Sequence, residues 1–214
     1  MSFTINSQQY ICYLHMVAAK LRESKDYVTS LDAATGDGDH WANLMAGFDA
    51  IEAECPAMES MPLFSVFQRI GMLMMSKVGG SSGILYGGAY IAAAKGLKGK
   101  VFFNAPELCE SLGLMVQDMM KRGKAEPGYK TMIDAIYPAW KAFEKGLAIG
   151  CEDLVLLEEV KAASLAGAEA TRGMEAVKGR ASYRTDKGVG FLDAGAVTMS
   201  YQIACLCDTI KANL

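Results

Sequence analysis

The sequence predicts an all-α fold: an antiparallel up-and-down bundle or barrel of about eight helices. Apolar residues recur at helical spacing along almost the whole chain, with no convincing alternating strand. Proline and glycine punctuate these segments. Abundant methionine and alanine suit close helix interfaces, and core packing is the preferred reading of that apolar surface over a cofactor or lipid pocket.

Tyr10, Ile11, Leu14, Val17, Ala18 and Leu21 form the first apolar stripe. Further stripes fall near residues 41–54, 61–78 and 83–96. Leu108, Leu112, Met115 and Met119 form the next, followed by stripes near 131–147, 152–172 and 194–212. Pro56, Pro62, Pro106 and Pro127 are expected between helices or at their starts, as are the glycine turns at 79–80, 97–99 and 188–190. No low-complexity linker divides the chain, so residues 1–214 read as one domain.

With 51% hydrophobic and 21% charged residues, the chain has the composition of a soluble globule with a full core. A net charge of −3 and the lack of a basic run argue against nucleic acid as a partner. No apolar stretch approaches the ~20 residues of a membrane span, and the N-terminus lacks a signal-peptide pattern. The six cysteines are scattered without a CxxC pair, which suits reduced thiols in the cytoplasm.

The loops carry the chemistry. Asp32, Asp37 and Asp39 crowd around Gly36 and Gly38. On extended backbone Asp37 and Asp39 point the same way, and the glycines allow a turn that brings Asp32 alongside. Three converging carboxylates need a hard cation, so oxygen ligation of Mg²⁺, Ca²⁺ or Mn²⁺ is expected. A solvated turn or a helix N-cap is the alternative. An EF-hand fails, because Asp32 as first ligand puts Ala34 third and Asn43 twelfth.

Val78-Gly-Gly-Ser-Ser-Gly83 has the form of a phosphate cradle, with Ser81 and Ser82 at a helix N-terminus, or of a flexible connector. Arg180 offers a guanidinium for phosphate or for a surface ion pair. Asp193-Ala-Gly195 opens the last helix as an N-cap. His40 can orient a ligand or serve the structure. The loops 32–43, 76–83, 122–132 and 178–195 precede alternate helices. In an antiparallel bundle they therefore meet at one rim, where they supply carboxylates, N–H groups and a guanidinium. These are the parts of Mg-nucleotide binding and phosphoryl transfer, with about two Mg²⁺ to balance the charge.

Gly36-Asp-Gly-Asp-His40, Ser76-Lys-Val-Gly-Gly-Ser-Ser-Gly83, Arg122-Gly-Lys-Ala-Glu-Pro-Gly128 with Lys130-Thr-Met132, and Lys178-Gly-Arg-Ala-Ser-Tyr183 occur in one order. In these motifs the chain closely resembles, over nearly its full length, the nucleotide-binding L subunit of bacterial dihydroxyacetone kinase. The resemblance implies an eight-helix antiparallel barrel with the nucleotide, ADP or ATP, at one end. It implies two Mg²⁺ on Asp32, Asp37 and Asp39. The nucleotide would be lined by the 40–43 segment (His40, Trp41, Ala42 and Asn43), Ser81, Ser82, Gly123 and Met132. Asp193, Ala194 and Gly195 would close the site, and Arg180 would act on the phosphate as the catalytic residue.

The resemblance also implies partners. A separate K subunit would hold the hydroxyketone, and the chain would lack kinase activity without it. A phosphotransferase-system M subunit would rephosphorylate bound ADP from phosphoenolpyruvate. A homodimer is left open. The chain departs from the family pattern at Trp41, Met45, Ala46, Ala194 and the 184–190 loop; Trp41 and that loop are expected where a partner would dock. The alternatives are an ATP-dependent kinase subunit for another ketose such as erythrulose, and a non-catalytic helical-barrel binding or regulatory module.

Overall fold

The computed structural model describes residues 3–214, and these residues form an all-α ring. The helices are α1 (Ser7–Glu23), α2 (Lys25–Thr35), α3 (His40–Met58), α4 (Leu63–Lys77), α5 (Gly80–Gly96), α6 (Ala105–Gly123), α7 (Ile133–Ala148), α8 (Asp153–Ala170) and α9 (Ala194–Lys211). Each arm packs against the next, and α9 packs against α1 to close the ring. The apolar stripes face inward: Tyr10, Leu14, Val17 and Leu21 on α1 and Leu108, Leu112 and Met119 on α6 are all buried.

The expected eight arms are present, but the first is broken at Ser24 into α1 and α2, which gives nine α-helices among the described residues. Both halves pack on α3 and α9, so α2 prolongs the arm and the alternation of loops is preserved. Helix α2 buries only Val28, so it has no apolar stripe to mark it in the sequence. Asp32 accordingly lies in the last turn of a helix, not in the expected loop.

Two further expectations are corrected. Pro56 lies inside the last turns of α3 rather than between helices. A two-residue antiparallel ladder, β1 (Thr4–Ile5) with β2 (Phe103–Asn104), also exists, too short to show alternation. It ties together the starts of α1 and α6. Both helices are capped by reciprocal asparagine boxes, Asn6 with Gln9 and Asn104 with Glu107.

The tightest approach between arms lies at α7 and α8. Pro138 within α7 has no N–H, so the Asp134 carbonyl loses its regular helical partner. Gly167 on α8 fits against that carbonyl: a Cβ at this position would lie 2.0 Å from the Asp134 oxygen. Gly167→Ala must push α8 off α7, and we expect a loss of about 1–3 kcal/mol. The denaturant midpoint measures it, and an unchanged midpoint would show that the two helices are not in this contact.

Candidate functional site

All four loops converge on one cavity of about 470 Å³ at a single rim of the ring. One side of it is polar. Asp32, Asp37 and Asp39 bring carboxylate oxygens within 4.8 Å of one another. Asp32 comes from α2, and Asp37 and Asp39 from the turn that follows, where Gly38 takes a positive φ of 77°. The Asp32 carboxylate also accepts the His40 backbone N–H at 3.1 Å, which fixes the start of α3.

Arg180 reaches this cluster from the other half of the chain. Its guanidinium is 2.6 Å from Asp37 and 3.7 Å from Asp39. The cluster therefore draws positive charge from wherever it is available. Oxygen donors at this spacing fit one or more hard divalent cations. Ser81 and Ser82 occupy the first turn of α5, beside its free N–H groups, and both line the cavity. Gly79 and Gly80 shape the entry: a Cβ on Gly79 would lie 2.4 Å from the Asn43 side-chain oxygen, and Gly80 has φ 65°.

The opposite side is apolar. Leu85, Met119, Met132 and Ile133 line it with Gly123, giving a surface suited to a flat ring. Asp193 caps α9 by accepting the Ala196 N–H at 2.7 Å, and Ala194 and Gly195 complete the wall. Most of the anticipated residues thus meet. Trp41 and Ala42 do not line the cavity. Helix α3 begins at His40, so side chains three apart share a face; His40 and Asn43 face the site while Trp41 turns to the α1–α2 joint. There its indole N–H donates to the Leu21 carbonyl at 2.7 Å, and Ala42 is exposed. Trp41 is therefore tied to the first arm rather than presented on the rim.

The structure adds residues to which the sequence reading gave no role. Lys130 is buried, in a left-handed conformation with φ 60°. Its ammonium donates to the carbonyls of Thr171 at 2.5 Å and Phe191 at 2.6 Å. It thereby clamps the 122–132 loop to the end of α8 and to the 178–195 loop. Buried Asp134 shapes the same loop by accepting the N–H groups of Gly128 and Thr131. Leu85 and Met119 were hidden because periodicity marks a core face without separating packing from a cavity wall. Thr198, behind His40, lies outside every motif.

Burial governs the titrations here. It lowers the His40 pKa against the pull of Asp32 and Asp39, and lowers that of Lys130 against Asp193. It also pushes the Asp193 carboxyl up to about 7.

The comparisons with known proteins agree with this geometry. The DAK2 domain family matches residues 34–208, and the chain belongs to that family. It is 30% identical over 97% of its length to the ADP-binding subunit DhaL of the PEP-dependent dihydroxyacetone kinase of Escherichia coli, covering 99% of that protein. It is 34% identical to the corresponding subunit of a PEP-dependent dihydroxyacetone kinase of Listeria innocua, over 92% of this chain and 93% of the relative. Among solved structures, the dihydroxyacetone kinase of C. freundii in complex with AMP-PNP and Mg²⁺ superposes with a TM-score of 0.72 at 26% identity. That match covers 92% of this chain and 33% of the larger one, so the chain corresponds to about a third of that kinase. Among the described residues, no helix is long and apolar enough to cross a membrane.

Two predictions follow from the clamp and the cap. Lys130→Met leaves the carbonyls of Thr171 and Phe191 without their charged donor. Hydrogen exchange across 171–193 should speed up by at least about tenfold; unchanged exchange there would exclude the clamp. For Asp193, the folded pKa of about 7 lies above the ordinary 3.8. Its protonated form is therefore favoured by folding, and that stability is complete below about pH 4 and lost as pH rises through about 7. Asp193→Asn keeps the cap and cannot ionise, so its denaturation free energy should fall less than that of the wild type between about pH 5 and 8.

Proposed function

We propose that this chain is a one-domain, nucleotide-carrying L-type subunit of a dihydroxyacetone-kinase system. It holds ADP or ATP with Mg²⁺ and passes a phosphoryl group to a hydroxyketone held on a separate K subunit. The observation that carries the reading is the meeting of Asp32, Asp39, Ser81, Ser82 and Arg180 on one side of a cavity whose other side is apolar, with Asp37 clustered beside the two aspartates and paired with Arg180. Phosphoryl transfer rests on positioning and charge neutralisation, and these residues supply both.

Asp32, Asp37 and Asp39 would hold the metal, which when bound neutralises charge on the phosphates. The first turn of α5 would orient phosphate oxygens through its N–H groups and the hydroxyls of Ser81 and Ser82. Arg180, paired with Asp37 and more than half exposed, would exchange that carboxylate for a phosphate oxygen as charge develops there. Leu85, Met119 and Met132 would hold the base and exclude water from it.

The relatives from E. coli and L. innocua are named as PEP-dependent. On that likeness we assign phosphoenolpyruvate as the original donor, delivered by a phosphotransferase-system M subunit to ADP that stays on the chain. A cytoplasmic location goes with those partners.

Denaturing freshly purified chain should release near-stoichiometric ADP with Mg²⁺; an empty chain that binds Mg-ATP on titration would replace resident ADP with exchangeable ATP. Asp37→Ala and Asp39→Ala should each weaken Mg-dependent ADP binding by at least about tenfold, with the helical circular dichroism unchanged. Wild-type affinity in both variants would sink the nucleotide reading.

A further inference from the structure

A second arginine, one to which the proposed chemistry gives no role, ties the 178–195 loop to the end of α2. The Ala34 carbonyl lies in the last turn of α2, where the helix has no N–H left to serve it. Arg184 donates to that carbonyl from Nη1 at 3.0 Å, across 150 residues of sequence. Asp186 occupies the other edge of the guanidinium: Nε donates to one carboxylate oxygen at 2.8 Å and Nη2 to the other at 2.7 Å. The guanidinium carbon stands 5.7 Å from the centre of the Phe191 ring, within cation–π range.

Each contact removes a different freedom. The two parallel bonds to Asp186 fix the plane of the guanidinium. Asp186 also accepts the Gly188 N–H at 2.9 Å, where Gly188 turns the chain with φ 69°. Arg184 and that N–H together hold the Asp186 carboxyl well below the usual carboxylate range. The turn sits close on the helix end: a Cβ on Gly188 would lie 3.5 Å from Cγ2 of Thr35. The loop therefore meets α2 at Ala34 and Thr35, just before the turn that carries Asp37 and Asp39. A cation against the carbonyl end of a helix is also favoured by the helix dipole. On the other side, Arg180–Tyr183 form one 3₁₀ turn, and the Arg184 N–H donates to the Ala181 carbonyl at 3.2 Å. Fixing Arg184 thus fixes the backbone from which Arg180 projects. An exposed ion pair of this kind adds little to stability, so its effect is geometric.

We propose that Arg184 is a positioning residue for phosphoryl transfer: it pins the basic loop to the end of α2 and so holds Arg180 at the phosphate side of the cavity. Arg184 does not itself line the cavity, whereas Arg180 does, so the first acts through the second. The role of Arg180 on a phosphate rests on the nucleotide reading above.

Arg184 is exposed, so Arg184→Ala should leave the helical circular dichroism unchanged. Two readouts then separate the pin from the nucleotide. Without nucleotide, amide exchange across 182–190 should speed up by at least about tenfold. Mg-ADP affinity should fall by at least about fivefold. In an Arg180→Ala background the same substitution should change that affinity by less than about twofold, because the residue it positions is gone. A merely structural role would give the same loss in both backgrounds. Asp186→Ala, which keeps Arg184 but removes its fork, should move exchange and affinity in the same directions as Arg184→Ala. Unchanged exchange in Arg184→Ala, wild-type affinity in that variant, or a loss that persists in full without Arg180 would each overturn the proposal. If exchange speeds up as expected while the unsubstituted chain binds no Mg-ADP, the pin stands and the nucleotide reading fails.

Discussion

Three carboxylates within 4.8 Å of one another repel, and the rest of the site is arranged around that repulsion. Asp32 is fixed in the last turn of α2 and holds the start of α3, while Asp37 and Asp39 ride on a two-glycine turn between those helices. Positive charge must therefore come to them, and the nearest supply within the chain is Arg180, more than half the sequence away. The packing of α9 and α2 on each other, with α8 beside them, turns that sequence distance into a salt bridge. The closed ring is thus more than a way of burying apolar stripes. It brings the acidic turn near the start of the chain to the basic loop near its end.

The same closure explains why irregular backbone is tolerated at the rim. The 122–132 and 178–195 segments have little secondary structure, and so need partners for their backbone groups. Lys130 and Asp134 provide them from opposite signs of charge. Asp134 gathers the N–H groups of one loop, and Lys130 gathers carbonyls from the end of α8 and from the last loop. Two buried ions thus serve the backbone of the rim rather than each other.

Much of this architecture was legible in the sequence because helical periodicity and loop parity are both local signals with global consequences. Eight stripes and four glycine-bearing loops were enough to place the site at one rim. What stayed hidden had physical reasons. Helix α2 buries one residue, Val28, so its pattern is indistinguishable from a polar loop. Trp41 sits in sequence among site residues, but one step of helical rotation carries it to the Leu21 carbonyl. Lys130 reads as a surface lysine, since nothing local announces that two carbonyls from distant segments will enclose its ammonium.

Thr198 and Tyr86 were harder still, because on apolar helix faces a hydroxyl looks like a small defect in the core. Their partners show why they belong there. The Gln202 amide donates to the Tyr86 hydroxyl and to the Thr198 carbonyl, and the Thr198 hydroxyl pairs with an imidazole at the cavity wall. A buried polar group costs free energy unless its partners are fixed, so a ring built largely from apolar side chains restricts such groups to one arrangement. The core that stabilises the ring and the hydrogen bonds that orient His40 are consequently the same piece of structure, and a substitution deep between α5 and α9 can be felt at the rim.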